Sequence, residues 1–558
     1  MSLTTKLAAT LRRRWDKWFR RDAAVARDLA DWQTSHAWAA APAIDMPRRL
    51  LVVSLSNWVP QIKIESILAR ALMLEGYRPT IATFKPRQLV HGYHRALGIR
   101  DFAAVDSFRT RRGDAEAAAA AREITGRNLT FSETLELDYR GAQVGRHVLS
   151  SMIGKLRGGS LPFSDPQVRR LLHSGLQKAL RYVHGVERLL DEVRPDLVLL
   201  LERGHVPFGE FFDLAINRGI PVIQYCHPHR KDALLLKRYS AADRYDHPWS
   251  LSAATWEQVR HMPWSPEIEA DLMHEMRGRY AAGTWFDRKF LQSGKCDKSP
   301  DEVRQQLGLD PAKKTAVVFS HVLWDATFFY GTSLFDDYEH WLVETVKAAC
   351  RNDRVNWVIK LHPDYVWKMK LLGDTGRPPE YAALEAKVGP LPPHVRILAP
   401  QTDISTWSLF ALTDWCITVR GTIGIEMSCF GIPVMTAGTG RYAGLGFTLD
   451  SSSRSQYLER LAQVEHIPPL SPEQIDLARR HAYAVFRLRP IPFTSFAMDH
   501  GQLESLGQTL DQNVSLAVRS ASEFAGAADL RSFREWAAHS DAVELMLPCS
   551  STPVARAA

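Results

Sequence analysis

Three short stretches of the chain carry side chains able to act on a phosphorylated or sugar ligand. The first is KLHPD at 360–364. The apolar residues before it read as a buried strand, so Lys360 and His362 arrive at its carboxyl end, where open α/β sheets bind ligands. Pro363 then turns the chain out of the strand. His362 suits donation to a phosphate oxygen or a sugar hydroxyl, and Lys360 suits charge neutralisation. A satisfied structural histidine is the plain alternative.

The second stretch, 415–446, reads WCITVRGTIGIEMSCFGIPVMTAGTGRYAGLG. An apolar strand runs into a loop at Arg420, Gly421 and Thr422, and a helix begins near Gly424 and Glu426. Glycines let backbone approach a ligand, and the free N–H groups of a helix start carry partial positive charge. Thr422 adds a hydroxyl donor. The pattern is a phosphate cradle lacking both a Walker lysine and a dinucleotide fingerprint; a tight strand–helix turn is the alternative. Glu426, one turn into the helix, accepts ribose hydroxyls or caps the helix.

The third stretch, FSHVLWDA at 319–326, follows a strand and offers His321 and Asp325 to a sugar or nucleotide. Asp403 also follows a strand. After the apolar run DLVLLL at 196–201 comes Glu202, the candidate base for activating an acceptor, unless it only bridges Arg203 or caps a helix. The other His-Pro pairs, at 227–228 and 247–248, are weaker candidates. His227 and His229 next to Cys226 superficially resemble a metal cluster, but no second ligand pair lies nearby in sequence, so no metal site is expected.

These residues need strands to deliver them. Apolar runs at 50–55, 80–84, 196–201 and 221–225 alternate with helical spacing at 62–74 and 208–217. After a Gly-, Pro- and charge-rich break at about 278–314, strands follow at 315–319, 356–361, 395–398, 415–419 and 433–436, with an amphipathic helix at 338–350. Strands apolar on both faces imply parallel sheets covered on both sides. The expected fold is α/β, with two Rossmann-like doubly wound lobes facing a central cleft and extra N- and C-terminal helices. The expected divisions are a basic amphipathic helical segment (1–45), an acceptor lobe (46–295), a nucleotide-sugar donor lobe (296–460), and a helical region with a tail (461–558).

Residues 11–21 interleave Arg12, Arg13, Arg14, Lys17, Arg20 and Arg21 with Leu11, Trp15, Trp18 and Phe19. The three aromatic residues fall on one helical face, the pattern of a helix lying in a membrane interface. Each basic residue near an anionic leaflet contributes about 1 kcal/mol. Docking of this stripe on the protein's own core is the alternative.

The composition narrows the class. Of 558 residues, 45% are apolar and 24% charged, which excludes a disordered, collagenous or disulfide-stapled chain. Seventy Lys and Arg against 62 acidic residues give a net charge of +8. That excess is modest; it suits anionic partners in general and does not call for nucleic acid. No run of about 18 apolar residues is present for a spanning helix. The first ten residues are too polar for a signal peptide, and the six cysteines are scattered without zinc spacing. The expected location is cytoplasmic, peripheral on the inner face of the cytoplasmic membrane through residues 11–21.

With KLHPD (360–364), GTIGIE (421–426) and GIPVMTAGTGRYAGLGFT (431–448) in this order and spacing, the chain resembles the bacterial capsule-polysaccharide biosynthesis glycosyltransferases. That group includes enzymes that place Kdo sugars on a lipid anchor. The resemblance covers roughly 315–450. It implies a GT-B fold, a nucleotide-sugar donor (CMP-Kdo in the Kdo-transferring members) held in the second lobe as a substrate, and no cofactor or obligatory metal. It carries donor-phosphate contacts over to His362, Gly421 and Thr422, and a place near the donor to Arg441 and Tyr442. The acceptor it implies is a growing or lipid-linked surface polysaccharide. Glu202 is not part of it. Rival readings are a transferase of polyol phosphate from a CDP-linked donor, a sugar-nucleotide 2-epimerase, and a non-catalytic subunit of capsule assembly or polysaccharide transport.

Overall fold

A computed structural model of the protein describes residues 23–39, 45–85, 88–230, 232–281, 294–325, 328–366, 368, 376–499 and 513–550. The basic segment 11–21 lies outside them, and so does Ala326.

The first lobe is built on β1 (Arg48–Val53), β2 (Tyr77–Thr83), β3 (Asp101–Ala104), β4 (Leu197–Leu200), β5 (Val222–Cys226) and β6 (Ala233–Tyr239). Side chains alternate faces along a strand. Leu50, Val52, Leu197 and Leu199 therefore enter one core, and Leu51, Val53, Val198 and Leu200 enter the other. The helix Val59–Met73 fills the first core; Pro166–Val193 lays Leu172, Leu176, Leu180 and Val183 into the second. Each fully buried Leu or Ile contributes about 1.5–3 kcal/mol.

The second lobe contains β7 (Thr315–Phe319), β8 (Asn356–Lys360), β9 (Val395–Leu398), β10 (Trp415–Thr418), β11 (Val434–Thr436) and β12 (Leu449–Asp450). All are parallel, in the spatial order β12-β11-β10-β7-β8-β9. Ala316, Val318, Trp357 and Ile359 face one core; Val317, Phe319 and Val358 face the other. The expected GT-B-like architecture is what the structure has: two Rossmann-like lobes with a cleft between them.

Three features go beyond the sequence reading. β6 runs antiparallel to β5. A short strand after the second lobe, β13 (Ile491–Pro492), returns to pair antiparallel with β6. Helix Ala528–His539 then packs Leu530, Phe533 and Trp536 into the core over Val59–Met73. The stretch beyond 461 is therefore divided. Helix Pro472–Tyr483 contributes Ala478 and Ala482 to a core shared with Ile425 and Tyr442 of the second lobe, while residues from 491 onward complete the first.

The lobes are clasped on one side of the cleft. Arg146 donates to the Phe328 carbonyl at 2.6 Å, Gly331 N–H to the Tyr245 carbonyl at 2.7 Å, and His247 N–H to the Gly440 carbonyl at 2.7 Å. Gly331 needs its glycine: φ is +58°, and a Cβ would sit 2.4 Å from the Thr439 carbonyl oxygen.

Candidate functional site

The β9-β8-β7-β10-β11-β12 order reverses direction between β7 and β10, and ligands of such sheets bind outside the carboxyl ends at that switch point. The ends of β7, β8 and β10 deliver Ser320 and His321, Lys360 and His362, and Arg420 to Thr422, all into one cleft of about 660 Å³. The first lobe faces them with His205 beyond β4, His227 beyond β5, and His247 and Trp249 from the connection after β6. Tyr330, Tyr338 and Trp324 add aromatic walls of the kind ligand pockets use.

His362 is neutral. Burial lowers its pKa below the ordinary 6.5, with Asp364 partly opposing. The Asp364 N–H donates to Nδ1 at 3.2 Å, so the ring proton sits on Nε2. His321 is held the other way round. Its Nε2 accepts the Val419 N–H at 3.3 Å and lies 3.2 Å from Thr418 Oγ1, while the ring stacks on Tyr338 at 4.4 Å. Burial first, then the neighbouring His362, Arg420 and Arg441, push its pKa well down. His321 thus braces the Thr418–Gly421 turn; Gly421 N–H in turn donates to Thr418 Oγ1 at 3.3 Å.

Among the described residues the cations here have no acidic partners. Arg420 is buried and gives its guanidinium to the Tyr330 carbonyl, to the Thr332 carbonyl at 3.3 Å and to Ser333 Oγ at 2.5 Å. Arg441 donates to the Arg420 carbonyl at 3.2 Å and lies over Trp249 at 5.1 Å; burial brings its pKa down to about 10, so it stays charged. Lys360, 5% exposed, is brought down to about 7 by burial and then by Lys295. Among the described residues none of the three makes an ion pair with a carboxylate. A phosphate or carboxylate group would satisfy them together.

Other expected residues sit outside the cleft or are engaged by protein partners. Gly424, Glu426 and Tyr442 are buried and do not line the cleft. Tyr442 donates to the Gly421 carbonyl at 2.7 Å, and a Cβ at 424 would lie 2.1 Å from that hydroxyl. Gly424 therefore serves packing rather than ligand approach. Glu426 is fully buried, 3.3 Å from Arg279 and bonded to the Tyr280 hydroxyl, instead of meeting a ribose. Asp325 lines the cleft but is ion-paired with Lys368. Glu202 is outside the cleft lining; its Oε1 accepts the Arg203 N–H at 2.8 Å and lies 3.5 Å from His205 Nδ1. Asp403 binds Lys298 and Gln306, tying that part of the 278–314 break to the second lobe.

The sequence reading assigns no role to His205 and ranks His227 and His247 low. His227 follows the last residue of β5 directly, the same strand-end signal that marked His362. Among the described residues no group of three His, Cys, Asp or Glu side chains is placed to hold a metal ion, and no helix is long and apolar enough to cross a membrane.

No known protein family matches the sequence, and no curated protein matches it significantly. Distant matches to solved structures exist. KpsC of Thermosulfurimonas dismutans, described as a β-Kdo 2,4-transferase, is 14% identical, covering 57% of this chain and 85% of its own, with a TM-score of 0.32. The UDP-GlcNAc 2-epimerase of Neisseria meningitidis, solved with UDP-GlcNAc, is 12% identical, covering 78% of this chain and 97% of its own, with a TM-score of 0.23. The spinosyn rhamnosyltransferase SpnG is 13% identical, covering 78% and 95%, with a TM-score of 0.24. None of these matches assigns a reaction to this chain. Its fold and site define a two-lobed α/β protein whose cleft is cationic on the second-lobe side.

Proposed function

We propose that the protein is a GT-B-type glycosyltransferase that moves a sugar from a nucleotide-sugar donor to a surface polysaccharide, either growing or lipid-linked. The observation that carries this reading is the set of three basic residues, Lys360, Arg420 and Arg441, lining the switch-point cleft without carboxylate partners among the described residues. They suit the phosphate of an activated sugar, and their charge serves where a metal would otherwise. As the glycosidic bond breaks, negative charge builds on the departing phosphate. Lys360, His362, the Gly421 and Thr422 turn and the two arginines line that side of the cleft, and preorganised donors of this kind are usually the largest catalytic contribution.

On the opposite wall His205 is the group suited to take the acceptor's proton, with Glu202 beside it as the residue that orients the ring. Residues 11–21 would hold the enzyme at an anionic leaflet, near a lipid-linked acceptor.

The test is thermal stabilisation by CMP, UDP and GDP. A nucleotide at about 100 times its dissociation constant adds about 2.7 kcal/mol. Stabilisation by one nucleotide, followed by sugar transfer to a glycan from the matching donor, supports the reading; failure of all three overturns it. A phosphodiester in the product would point instead to polyol-phosphate transfer.

A further inference from the structure

Two of the chain's His-Pro dipeptides share one local geometry. In His362-Pro363-Asp364 the third residue's N–H donates to Nδ1 of the first at 3.2 Å; in His247-Pro248-Trp249 it does so at 3.1 Å. Proline has no N–H to give, so the first amide able to turn back onto the ring is that of the residue after it. An accepting Nδ1 is unprotonated, which leaves Nε2 of a neutral ring as an N–H donor. Both rings line the same cleft, one from each lobe.

His247 is held firmly. Its backbone N–H donates to the Gly440 carbonyl at 2.7 Å, and its ring lies 4.7 Å from that of Tyr330, whose carbonyl accepts from Arg420. After burial, the groups acting most on the ring are Arg441, Arg420, Arg203 and Lys237, and all four keep it neutral. Lys237 is balanced by Asp246 and Glu544, and Arg203 is occupied by the carbonyls of Arg244 and Asp246. Arg420 and Arg441 have no such acid among the described residues, and both also act on His321, beside His362. A fixed N–H donor standing next to guanidiniums that lack a counter-ion fits an anionic oxygen.

We propose that His247 is a donor-binding residue supplied by the first lobe, its Nε2–H donating to a phosphate oxygen of the nucleotide sugar that His362 and Lys360 hold from the second. The assignment rests on the proposed function, because it requires a nucleotide in this cleft. It makes the phosphate site a joint product of both lobes, so that the nucleotide itself bridges them.

The test is calorimetric titration of the intact protein with whichever of CMP, UDP or GDP binds the wild type, and with the corresponding nucleoside, which has no phosphate. His247→Ala should weaken nucleotide binding about ten- to a hundredfold, the loss expected for one hydrogen bond to a charged group. Nucleoside affinity should change by less than about threefold, as befits a contact made only to phosphate. His247→Gln, which can present an amide N–H, should recover most of the loss, whereas His247→Phe, similar in shape but without a donor, should not. If the alanine variant fails to fold, the Gln and Phe pair carries the comparison. Nucleotide affinity within about threefold of wild type in His247→Phe, or equal losses for nucleotide and nucleoside, would overturn the assignment while leaving the proposed function standing. No nucleotide binding by the wild type would overturn both.

Discussion

Tyr442 reaches under the loop that faces the cleft and donates its hydroxyl to the Gly421 carbonyl at 2.7 Å. The loop is thereby held from behind while its other side faces the cleft. The contact leaves no room at 424, where a Cβ would lie 2.1 Å from the same hydroxyl. Gly424→Ala should therefore destabilise the protein by about 1–3 kcal/mol, the usual result of overpacking. Tyr442→Phe should cost about 0.5–1.5 kcal/mol for its lost hydrogen bond. Because the phenylalanine removes the atom most in the way, the double variant should lose less than the two losses added together. Strict additivity of the unfolding free energies would show that the two positions do not press on one another.

His362→Ala should lower turnover about ten- to a hundredfold, since a hydrogen bond to a charged group is worth about 1.5–3 kcal/mol. The effect should fall on turnover far more than on acceptor KM, because the bond strengthens as the leaving group gains charge. Single-turnover transfer within about threefold of wild type would remove His362 from the mechanism. The ring is already neutral at pH 7, so its contribution should persist as the pH is raised.

The second sheet could be read almost residue by residue because its central strands are short, wholly buried runs, as in Thr315–Phe319 and Trp415–Thr418. β6 was not, since Lys237 and Arg238 interrupt its pattern. Lys237 is wholly buried with Asp246 at 3.1 Å and Glu544, more than three hundred residues away, at 3.4 Å, and Arg238 is taken up by carbonyls of Trp536, Ala537 and Ser540. The same limit governed the site. Strand ends identified His362, Lys360 and Arg420 from local pattern, and the strand-end rule applied to β5 would also have found His227. Glu426 looked like a ligand residue because its partners, Arg279 and Tyr280, come from a distant helix that local spacing does not connect to it. His247 does not sit at a strand end but well along the connection after β6; its place depends on the clasp to Gly440.

Lys360 gives the site a pH signature. Burial, with Lys295 nearby, holds its pKa at about 7. A bound phosphate favours the charged ammonium and raises that value. Binding at neutral pH should therefore take up a proton, and nucleotide affinity should fall as the pH rises from about 7 toward 9, by at most about tenfold per unit. The nucleotide's own phosphate, with a second pKa of about 6, is already about nine-tenths ionised at pH 7 and more so above it, so its titration adds little to the effect. Titrations in buffers of different ionisation enthalpy would show the uptake. Lys360→Gln should bind more weakly and lose the pH dependence; a wild-type affinity flat over this range would mean that the ammonium does not meet the phosphate.

Glu426 distinguishes a structural carboxylate from a ribose-binding one. In the structure it is fully buried, 3.3 Å from Arg279, which is itself 2% exposed. Glu426→Gln removes the negative charge yet keeps an oxygen for the Tyr280 hydroxyl. Breaking a buried pair from one side costs about 3–5 kcal/mol, and the retained hydrogen bond places this variant near the lower end. The unfolding midpoint in denaturant should drop accordingly, while nucleotide affinity, measured well below the transition, should stay within about twofold of wild type because no ligand contact is lost. The opposite pair of results, unchanged stability with nucleotide binding weakened about tenfold or more, is what a lost ribose contact would produce. It would return Glu426 to the donor site and require the helix Thr422–Ser428 to turn that carboxylate toward the cleft.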